Sequence, residues 1–458
     1  MKYDTIIIGA GMSGLAAGIR LAYYGQKVCI LEKHTITGGL NSHYSKDGRR
    51  FDVGLHAMTN FVKKGMKTAP LSKLLRQLKI RYDELDLVEQ SYSLIEFPGV
   101  KVRFANDFGL MAEDIRKEFP SEIDGFIKLV EHVKNYDDVS LNAEYVSSRE
   151  VVATFIKDPV LLDMIFCPVM YYGSAVEDDM DFSQFCIMFK SLYLEGFCRP
   201  QIGVRHLLRI LQKKFKENGG ELKMRSGVKK LHKDYARVTA VELEDGTLLE
   251  GEKILSSAGL CETYNLLDEG DKSPSQPGQL SFVETLLILN EMPKDFGRDE
   301  TITFFCREDK FNYRCPKGKT HDPMSGVICI PNNFQFADNP LEEGIVRFTS
   351  LADFNAWKDL TPEAYLEAKK AFINDQIKYS GFADKLSGNI VYTDAFTPMT
   401  VKRFTSHING AIYGAPGKVK DGTTPYENLF LCGTDQGFLG IVGALLSGIS
   451  MANLHLLR

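Results

Sequence analysis

The feature that most constrains the fold of this chain is a glycine-rich turn close to its start. The run Tyr3 to Ile8 predicts a strand, Leu15 to Tyr24 predicts a helix, and Val28 to Leu31 predicts a second strand. Between the first strand and the helix the sequence reads Gly9, Ala10, Gly11, Met12, Ser13 and Gly14. The order strand, glycine turn, helix, strand is typical of a dinucleotide-binding fold.

Each glycine of this turn has its own predicted task. Gly9 makes the tight turn, Gly11 lets the backbone approach a pyrophosphate, and Gly14 lets the helix pack closely on the strand. The helix N-terminus offers free backbone N–H groups and a partial positive charge to phosphates. Glu32 ends the second strand, 18 residues after Gly14, where its carboxylate can accept hydrogen bonds from a ribose diol. A glycine-rich turn in an α/β domain without a ligand is the alternative.

The residues after Glu32 indicate which dinucleotide is bound. A Gly-Gly pair is followed by a Lys-Asp-Gly turn within 45–50 and then by a Phe-Asp-Val-Gly segment at 51–54. This order resembles the flavoprotein family of phytoene desaturases, carotenoid isomerases and retinol saturases, and the resemblance implies FAD as the cofactor. Carried over to this chain, it implies that the FAD site includes Lys33, Gly38, Gly39, Leu40, Asn41, Gly54, Leu55 and His56. The Gly-Leu-His of 54–56 is similar to the retinol saturase branch.

A second family hallmark follows in the middle of the chain. Val204 to Asn218 predicts an amphipathic helix stopped by Gly219 and Gly220. Short strands are predicted at 222–224, 228–231, 238–243, 248–250 and 253–258, with a hairpin turn at Asp245 and Gly246. By resemblance, Val228 lies against the adenine, and Ser257, Ala258 and Gly259 lie near the pyrophosphate.

A third hallmark lies near the C-terminus. Residues 394–414 resemble the family's Thr-Pro-x-Thr, aromatic-Thr and Gly-x-x-Tyr-Gly run, and Leu429 to Cys432 predicts a last strand. Gly433, Thr434 and Asp435 form its turn, and Asp435 is expected to reach hydroxyl groups of the cofactor. Gly440, Ile441 and Val442 open a final helix, whose N-terminus the resemblance directs at the flavin ring.

The predicted fold class is α/β, with a discontinuous Rossmann-like FAD-binding domain and an inserted α+β substrate domain. The FAD-binding domain is expected to comprise residues 1–95, 200–270 and 395–458, and its sheet to be mainly parallel. The substrate domain, with its helical insert, is expected to comprise 96–199 and 271–394. Strands are predicted there at 280–289 and 345–351, and a helix with Pro362 at its first position is predicted to run to about Tyr379.

Two stretches of the substrate domain allow more than one interpretation. The segment Phe182 to Leu194 is dense in Phe, Met, Leu and Tyr; core packing is the favoured interpretation, and a tunnel for a long apolar substrate or a membrane contact is the alternative. The stretch Lys310 to Ser325 is predicted to be a surface loop that could act as a lid. Trp357, the only tryptophan, is predicted to be a packing residue.

The resemblance implies an FAD-dependent oxidoreductase that desaturates, saturates or isomerises carbon–carbon bonds of an apolar polyene or isoprenoid-like substrate. An amine or amino-acid oxidase shares the architecture but needs a polar anchor for its substrate. A non-enzymatic carrier of prenyl lipids is a second alternative, although such carriers lack an intact flavin site. No catalytic residue can be named; four polar candidates are His56, His407, Arg403 and Tyr413.

Composition excludes several other classes. The net charge of −5, with both signs mixed along the chain, provides no basic stripe for nucleic acid. The nine cysteines are scattered without a Cys-x-x-Cys pair, which argues against a zinc site or a disulfide framework and for a reducing compartment. No apolar run approaches a membrane span, and no signal peptide is predicted. We therefore expect a cytoplasmic protein that is either soluble or peripherally bound to a membrane, with any attachment coming from an apolar entrance near the helical insert.

Overall fold

The computed structural model describes residues 2–54, 57–141, 143–338 and 341–457. Its strands, in chain order, are β1 (Lys2–Ile8), β2 (Val28–Leu31), β3 (His43–Lys46), β4 (Arg49–Asp52), β5 (Leu87–Glu89), β6 (Ser93–Phe97), β7 (Val100–Phe104), β8 (Cys198–Pro200), β9 (Glu221–Lys223), β10 (Val228–Asp234), β11 (Arg237–Leu243), β12 (Leu248–Ser256), β13 (Ser281–Leu289), β14 (Ile302–Cys306), β15 (Ser325–Cys329), β16 (Gly344–Ala352), β17 (Ile390–Phe396) and β18 (Leu429–Leu431). Its α-helices are α1 (Met12–Tyr23), α2 (Pro70–Leu78), α3 (Phe108–Glu118), α4 (Ile123–Asn135), α5 (Ser148–Phe155), α6 (Pro159–Gly173), α7 (Phe182–Phe189), α8 (Val204–Glu217), α9 (Leu260–Leu266), α10 (Pro362–Tyr379), α11 (Ala383–Leu386), α12 (Pro398–Thr405) and α13 (Gly440–Met451).

The first sheet carries the glycine turn. Its order is β10-β11-β12-β1-β2-β9. Strand β18 pairs with the end of β12 on the edge opposite β1. The strands β9, β2, β1, β12 and β18 run parallel, while β10, β11 and the start of β12 form an antiparallel meander. Glycine turn and acidic residue therefore stand at the carboxyl ends of neighbouring parallel strands, where α/β sheets bind ligands.

The second sheet is almost entirely antiparallel. Its order is β17-β13-β16-β15-β14-β6-β7, and only β14 and β6 run parallel. Two interior strands, β13 and β16, are buried along nearly their whole length. Phe372 of α10 and Trp357, which precedes that helix, cover one face, while the other face packs on the aromatic core of α6 and α7.

Local sequence signals account for many element boundaries. The Thr361 side chain caps α10 by accepting a hydrogen bond from the Ala364 N–H at 3.3 Å, with Pro362 in the first turn. The hairpin β3–β4 turns at Asp47 and Gly48, both at positive φ, as a two-residue turn requires. Gly219, at φ +83°, follows the end of α8.

Most predicted elements are confirmed, with two corrections. The strands predicted at 248–250 and 253–258 form one continuous strand, β12, since its first residues pair with β11 and its later ones with β1. The stretch 310–325 is not a free surface loop, because Phe311 and Tyr313 are buried in the aromatic core and the Tyr313 N–H donates to Asp178 at 2.7 Å. Trp357 is buried, as predicted.

Two further observations concern the cysteines and the lengths of the helices. All nine cysteines are buried and free, as small apolar residues would be. Within residues 2–54, 57–141, 143–338 and 341–457, no helix combines the length and the apolar character that crossing a bilayer requires.

Candidate active site

A cavity of about 1000 Å³ is lined by residues of both sheets. The glycine turn, the end of β2, the segment 38–44 and the start of α13 form one part of its wall. Strands β13, β15, β16 and β17, together with α12 and the tyrosines Tyr171, Tyr172 and Tyr413, form another part. This volume is at the upper end of the range of about 300–1,000 Å³ usual for ligand pockets, so the cavity can accept a large ligand.

Three glycines open onto this cavity. A Cβ added at Gly11 would meet no atom within 4 Å, one at Gly39 would meet only the Gly11 Cα at 4.0 Å, and one at Gly440 would meet only the Thr59 Oγ1 at 4.0 Å. All three glycines belong to the cavity wall, so a side chain there would take up ligand space. The backbone thus leaves a groove of the kind that a dinucleotide requires.

Two other glycines of the turn serve packing. A Cβ at Gly14 would lie 2.1 Å from the Gly9 carbonyl oxygen and 3.3 Å from the Ile7 Cγ2. A Cβ at Gly9 would lie 2.5 Å from the Ser257 Oγ, and Gly9 has φ +95°. The tight turn and the close helix–strand contact each exclude a side chain, as the motif predicts.

Two helix N-termini meet at the cavity. Met12 and Ser13 at the start of α1 line it, as do Gly440 and Ile441 at the start of α13. The two helices pack closely, since a Cβ at Gly448 would lie 2.0 Å from the Ser13 carbonyl oxygen. Both helices therefore direct the positive ends of their dipoles toward one ligand space, which favours an anionic or electron-rich ligand.

Glu32 lies on the cavity wall with both carboxylate oxygens engaged. Its Oε2 accepts the Ala10 N–H at 2.9 Å and its Oε1 accepts the His34 N–H at 2.9 Å. A carboxylate has about four acceptor positions, so these bonds leave capacity for a ribose hydroxyl. Glu32 therefore shapes the glycine turn as well as facing the ligand.

The cavity wall also includes Val228, Ser257, Ala258, Glu262 and His407. The Ser257 Oγ donates to the Ile8 carbonyl oxygen at 2.8 Å, which fixes the end of β12 against β1. Burial raises the pKa of Glu262, while the charge of His407 acts against that rise. The Glu262 Oε1 accepts the Ile408 N–H at 2.7 Å, so this carboxyl ties the segment after α12 to α9.

Some predicted cofactor residues are placed differently from the expectation. Asp435 was expected to reach cofactor hydroxyls, but it is 2% exposed and accepts the Leu260 N–H at 2.6 Å, the Ala415 N–H at 2.8 Å and the Lys418 Nζ at 3.2 Å. Protein donors satisfy this buried carboxylate, so its role is to join three chain segments. The predicted residues that do not contribute to the cavity wall are Ala10, Gly14, Gly259, Asp435 and Val442.

The remaining predicted cofactor residues lie on the cavity wall or outside the described part of the chain. Those on the wall are Gly9, Gly11, Met12, Ser13, Glu32, Lys33, Gly38, Gly39, Leu40, Asn41, Gly54, Val228, Ser257, Ala258, Gly433, Thr434, Gly440 and Ile441. Leu55 and the candidate His56 lie outside the described residues. The other three polar candidates, His407, Arg403 and Tyr413, all line the cavity.

Tyr171, Tyr172 and Tyr413 line a part of the cavity away from the glycine turn's own residues. The Tyr413 hydroxyl donates to the Tyr171 carbonyl oxygen, and the Tyr171 hydroxyl lies 2.9 Å from the Ser325 Oγ. Burial raises the pKa of Tyr171, Tyr172 and Tyr413, so all three phenols remain neutral at physiological pH. They supply aromatic surface with polar tips, which suits an extended, mainly apolar ligand.

His43 is held neutral at another part of the wall. The Arg205 Nε donates to the His43 Nδ1 at 3.2 Å, and burial together with the Arg205 charge lowers the pKa of His43. Since guanidinium only donates, the neutral ring carries its proton on Nε2. His43 therefore offers a neutral N–H donor at the cavity.

The segment Phe182 to Leu194 is part of the core. Phe182, Phe185, Phe189 and Tyr193 are fully buried among aromatic neighbours. Within the described residues this segment contributes nothing to the cavity wall. Core packing is therefore confirmed, and the interpretation of this segment as a substrate tunnel is wrong.

The sequence interpretation missed the sheet residues that face the cavity. Phe282 and Glu284 on β13, Val327 on β15 and Thr349 on β16 all line it. Glu284 pairs with the buried Arg347, whose Nε lies 2.9 Å from the Glu284 Oε1. A charged residue in the middle of each of two strands rich in apolar residues was the available signal.

The comparisons with known proteins agree with this arrangement. Residues 7–78 match the model of an NAD(P)-binding Rossmann-like domain. The chain is 24% identical to a chloroplastic prolycopene isomerase of Arabidopsis thaliana, over 98% of this chain and 82% of that protein. It is 22% identical to an all-trans-retinol 13,14-reductase of Danio rerio, over 99% of this chain and 86% of that protein.

Solved structures share the fold over the whole chain. An oxidoreductase from Methanosarcina mazei superposes with a TM-score of 0.67 at 16% identity, covering 99% of this chain and all of that one. A putrescine oxidase bound to putrescine superposes with a TM-score of 0.65 at 14% identity, covering the whole of both chains. The chain is thus an α/β protein with a Rossmann-like dinucleotide-binding sheet.

Proposed function

We propose that this chain belongs to the family that includes the prolycopene isomerases and all-trans-retinol 13,14-reductase. It is an FAD-dependent oxidoreductase that acts on carbon–carbon bonds of an apolar polyene or isoprenoid-like substrate. The reaction is desaturation, saturation or cis–trans isomerisation. The observation that carries this proposal is one cavity lined by both the glycine groove and an aromatic wall.

The described residues fit FAD in a specific way. Gly11 and Gly39 would leave room for the pyrophosphate, and Glu32 would bind the adenosine ribose. Val228 and Ala258 would border the adenine, and the N-terminus of α13 at Gly440 would face the flavin ring. In this proposal the first sheet holds the cofactor, and the second sheet faces the substrate.

The bound flavin supplies the hydride chemistry, and the protein supplies placement and electrostatics. The N–H groups at the start of α13 stabilise negative charge at the ring. The wall of Tyr171, Tyr172 and Phe282 positions the substrate and excludes water from the reacting bond. Desaturation also removes a proton from the substrate and saturation adds one, and a neutral phenol of this wall would exchange that proton.

The experiment that tests the function is anaerobic incubation of the purified holoprotein with substrate panels. A polyene or isoprenoid that changes the flavin oxidation state, or is itself isomerised by the reduced holoprotein, supports the proposal. An amine or amino-acid panel run in parallel tests the oxidase alternative, since a putrescine oxidase shares the fold. If only amines reduce the flavin, the proposed substrate class is wrong.

We also propose peripheral contact with a membrane surface. Four apolar side chains between α4 and α5 are exposed, namely Val139, Leu141, Tyr145 and Val146. Burying them in the interface would favour binding at about 25 cal/mol per Å² of apolar area. Cosedimentation with neutral liposomes that is lost on changing Val139 and Tyr145 to Ser is the expected result, and equal sedimentation of the variant contradicts it.

A further inference from the structure

Residues 63–81 form a strongly basic segment around helix α2. They include seven lysines and arginines and no aspartate or glutamate, although the whole chain has a net charge of −5. All seven basic residues are exposed, namely Lys63, Lys64, Lys67, Lys73, Arg76, Lys79 and Arg81. The mixture of both charge signs that holds over most of the chain is therefore absent from this segment, which is here called the basic surface.

Most of the charges of the basic surface have no carboxylate partner. In the part of the chain that the structure describes, only Lys64 and Arg81 of the seven form ion pairs, at 2.8 Å and 3.4 Å. Lys73 and Arg76 lie three residues apart on α2, where like charges repel each other. A negatively charged partner would relieve this repulsion, which is the basis of electrostatic docking between proteins.

Helix α2 fixes the basic surface close to α13. The four leucines of α2 are buried in the same core as Ile441 and Val442, and the two helices are in contact. Lys73 and Arg76 lie on the opposite, exposed face of α2. Because the axes of packed helices are about 8–10 Å apart, the basic surface is one helix layer away from the helix whose N-terminus lines the cavity.

The chain also connects the basic surface directly to the cavity wall. Thr59 lines the cavity, and its Oγ1 lies 4.0 Å from the position of a Cβ on Gly440. Phe61 and Val62 follow and are buried in the core shared with α13. Lys63 is the next residue and is exposed. A partner bound at the basic surface would therefore lie near the part of the cavity that the proposed function gives to the flavin ring.

We propose that the basic surface docks an acidic one-electron carrier protein, which exchanges electrons with the flavin. This inference rests on the proposed function, because net saturation or desaturation requires electrons to enter or leave the flavin. Each reduced carrier gives up one electron, so two carriers are oxidised for every two-electron reduction of the flavin, and the accompanying protons come from solvent. In the desaturation direction carriers are reduced in the same ratio.

The composition of the basic surface favours a protein over a lipid bilayer. Within 63–81, all of which the structure describes, Met66 is the one exposed large apolar side chain. Insertion into a bilayer interface depends on several apolar side chains, as in the contact proposed for the segment between α4 and α5. Encounters between redox proteins, in contrast, bury small areas, and opposite charges accelerate them.

The test uses the wild-type holoprotein and two acidic carriers as probes, a plant-type [2Fe–2S] ferredoxin and a flavodoxin. Their dissociation constants are measured by isothermal titration calorimetry, which does not depend on turnover. We expect at least one carrier to bind, and its affinity to fall at least about tenfold between about 10 mM and about 150 mM salt, as the Debye length shortens from about 30 Å to about 8 Å. The rate of flavin reduction by the reduced carrier, measured by stopped flow, should fall with it. Binding of neither carrier, or binding that salt does not weaken, would overturn the inference.

Two triple variants locate the binding site. K67E/K73E/R76E reverses three unpaired charges of the basic surface, and we expect it to weaken carrier binding at least about tenfold at low salt. Because all three residues are exposed and Glu is a good helix former, the variant should fold. The matched control, K358E/K370E/K378E, reverses three exposed lysines on or just before α10 and so has the same net charge. It should change the affinity by less than about twofold, and equal losses in the two variants would overturn the inference.

Cosedimentation with vesicles that contain phosphatidylserine tests a lipid partner instead. If the wild type binds these vesicles through the basic surface and binds neither carrier, the inference is overturned in favour of a lipid site. Failure of this inference is distinguishable from failure of the proposed function. If dithionite-reduced holoprotein converts a polyene but no carrier binds, the docking is wrong while the function stands; if a carrier binds and reduces the flavin but no polyene or isoprenoid is converted, the docking stands while the substrate class is wrong.

Discussion

The carboxylate of Glu32 accepts the backbone N–H of Ala10 at 2.9 Å, which joins the end of β2 to the middle of the glycine turn. The same side chain accepts the His34 N–H at 2.9 Å through its other oxygen. It also lines the cavity. One acidic residue therefore both shapes the glycine turn and faces the cavity.

Changing Gly11 to Val should abolish FAD binding and leave the fold intact. Gly11 has φ −71° and ψ −179°, a conformation open to any residue, and its Cβ would meet no protein atom within 4 Å. The side chain would instead occupy the space for the pyrophosphate. The purified variant should be colourless, with the circular dichroism spectrum of the wild-type apoprotein.

Gly14→Ala is the contrasting variant. Its Cβ would lie 2.1 Å from the Gly9 carbonyl oxygen, so this smaller change should destabilise the fold by about 1–3 kcal/mol. Chemical denaturation measures the difference. A yellow Gly11→Val protein would show that the pyrophosphate lies elsewhere.

Replacing Glu32 by Ala should weaken FAD binding by about 1.5–3 kcal/mol, since charge-assisted hydrogen bonds to the turn and to the ribose are lost together. Glu32→Gln keeps an acceptor and should lose less. Fluorescence titration of the apoproteins with FAD gives both affinities. If Ala and Gln behave alike, the carboxylate charge contributes nothing.

Changing Gly440 to Leu should alter the flavin without releasing it. The backbone there has φ +70°, so any side chain costs about 1–2 kcal/mol, and the added Cβ points into the cavity at the start of α13. We expect FAD to remain bound, with a changed spectrum, a lower reduction potential and lost turnover, because the ring moves away from the helix N-terminus.

Gly25→Leu is the matched control for Gly440→Leu. Gly25 has φ +84° with no atom within 4 Å of an added Cβ, and it lies away from the cavity wall. It should lose similar stability with an unchanged potential. If the flavin reduction potential of Gly440→Leu is also unchanged, then Gly440 is required only for its positive φ and not for the approach of the flavin ring.

The stability difference between Glu262→Gln and the wild type should depend on pH. Burial raises the pKa of Glu262 above its ordinary value of 4.5, and Asp435 acts in the same direction while His407 opposes it. The folded protein therefore holds this proton more tightly than the unfolded chain, and wild-type stability is lost as pH rises from 4.5 through the folded pKa. Gln does not titrate, so the melting temperature of the variant should rise relative to that of the wild type across this pH range. A pH-independent difference would show that Glu262 ionises normally.

The nucleotide half of the fold could be predicted because its signals are local. Gly9, Gly11, Gly14 and Glu32 lie within 24 residues, and the strand and helix periods around them agree with the glycine spacing. The distinction between the cavity glycine Gly11 and the packing glycine Gly14 also followed from the motif.

The part of the cavity formed by the second sheet could not be predicted in the same way. Glu284 and Thr349 are 65 residues apart in sequence, and only the register of β13 with β16 brings them together. Phe182 to Leu194 has a composition that suits a tunnel and a core equally, and its burial depends on the packing of α6 and the second sheet. The prediction that Asp435 contacts cofactor hydroxyls failed for a related reason. Its hydrogen-bond donors come from α9 and the segment 415–418, and the sequence around Asp435 does not reveal them.

The measurement that tests the central claim most directly is identification of the cofactor in the purified protein. The absorption spectrum is recorded, the protein is denatured, and the released compound is identified by mass spectrometry and quantified per chain, with Gly11→Val prepared in parallel. We predict one FAD per wild-type chain and none in the variant. A wild-type protein that is colourless and does not take up added FAD would contradict the account.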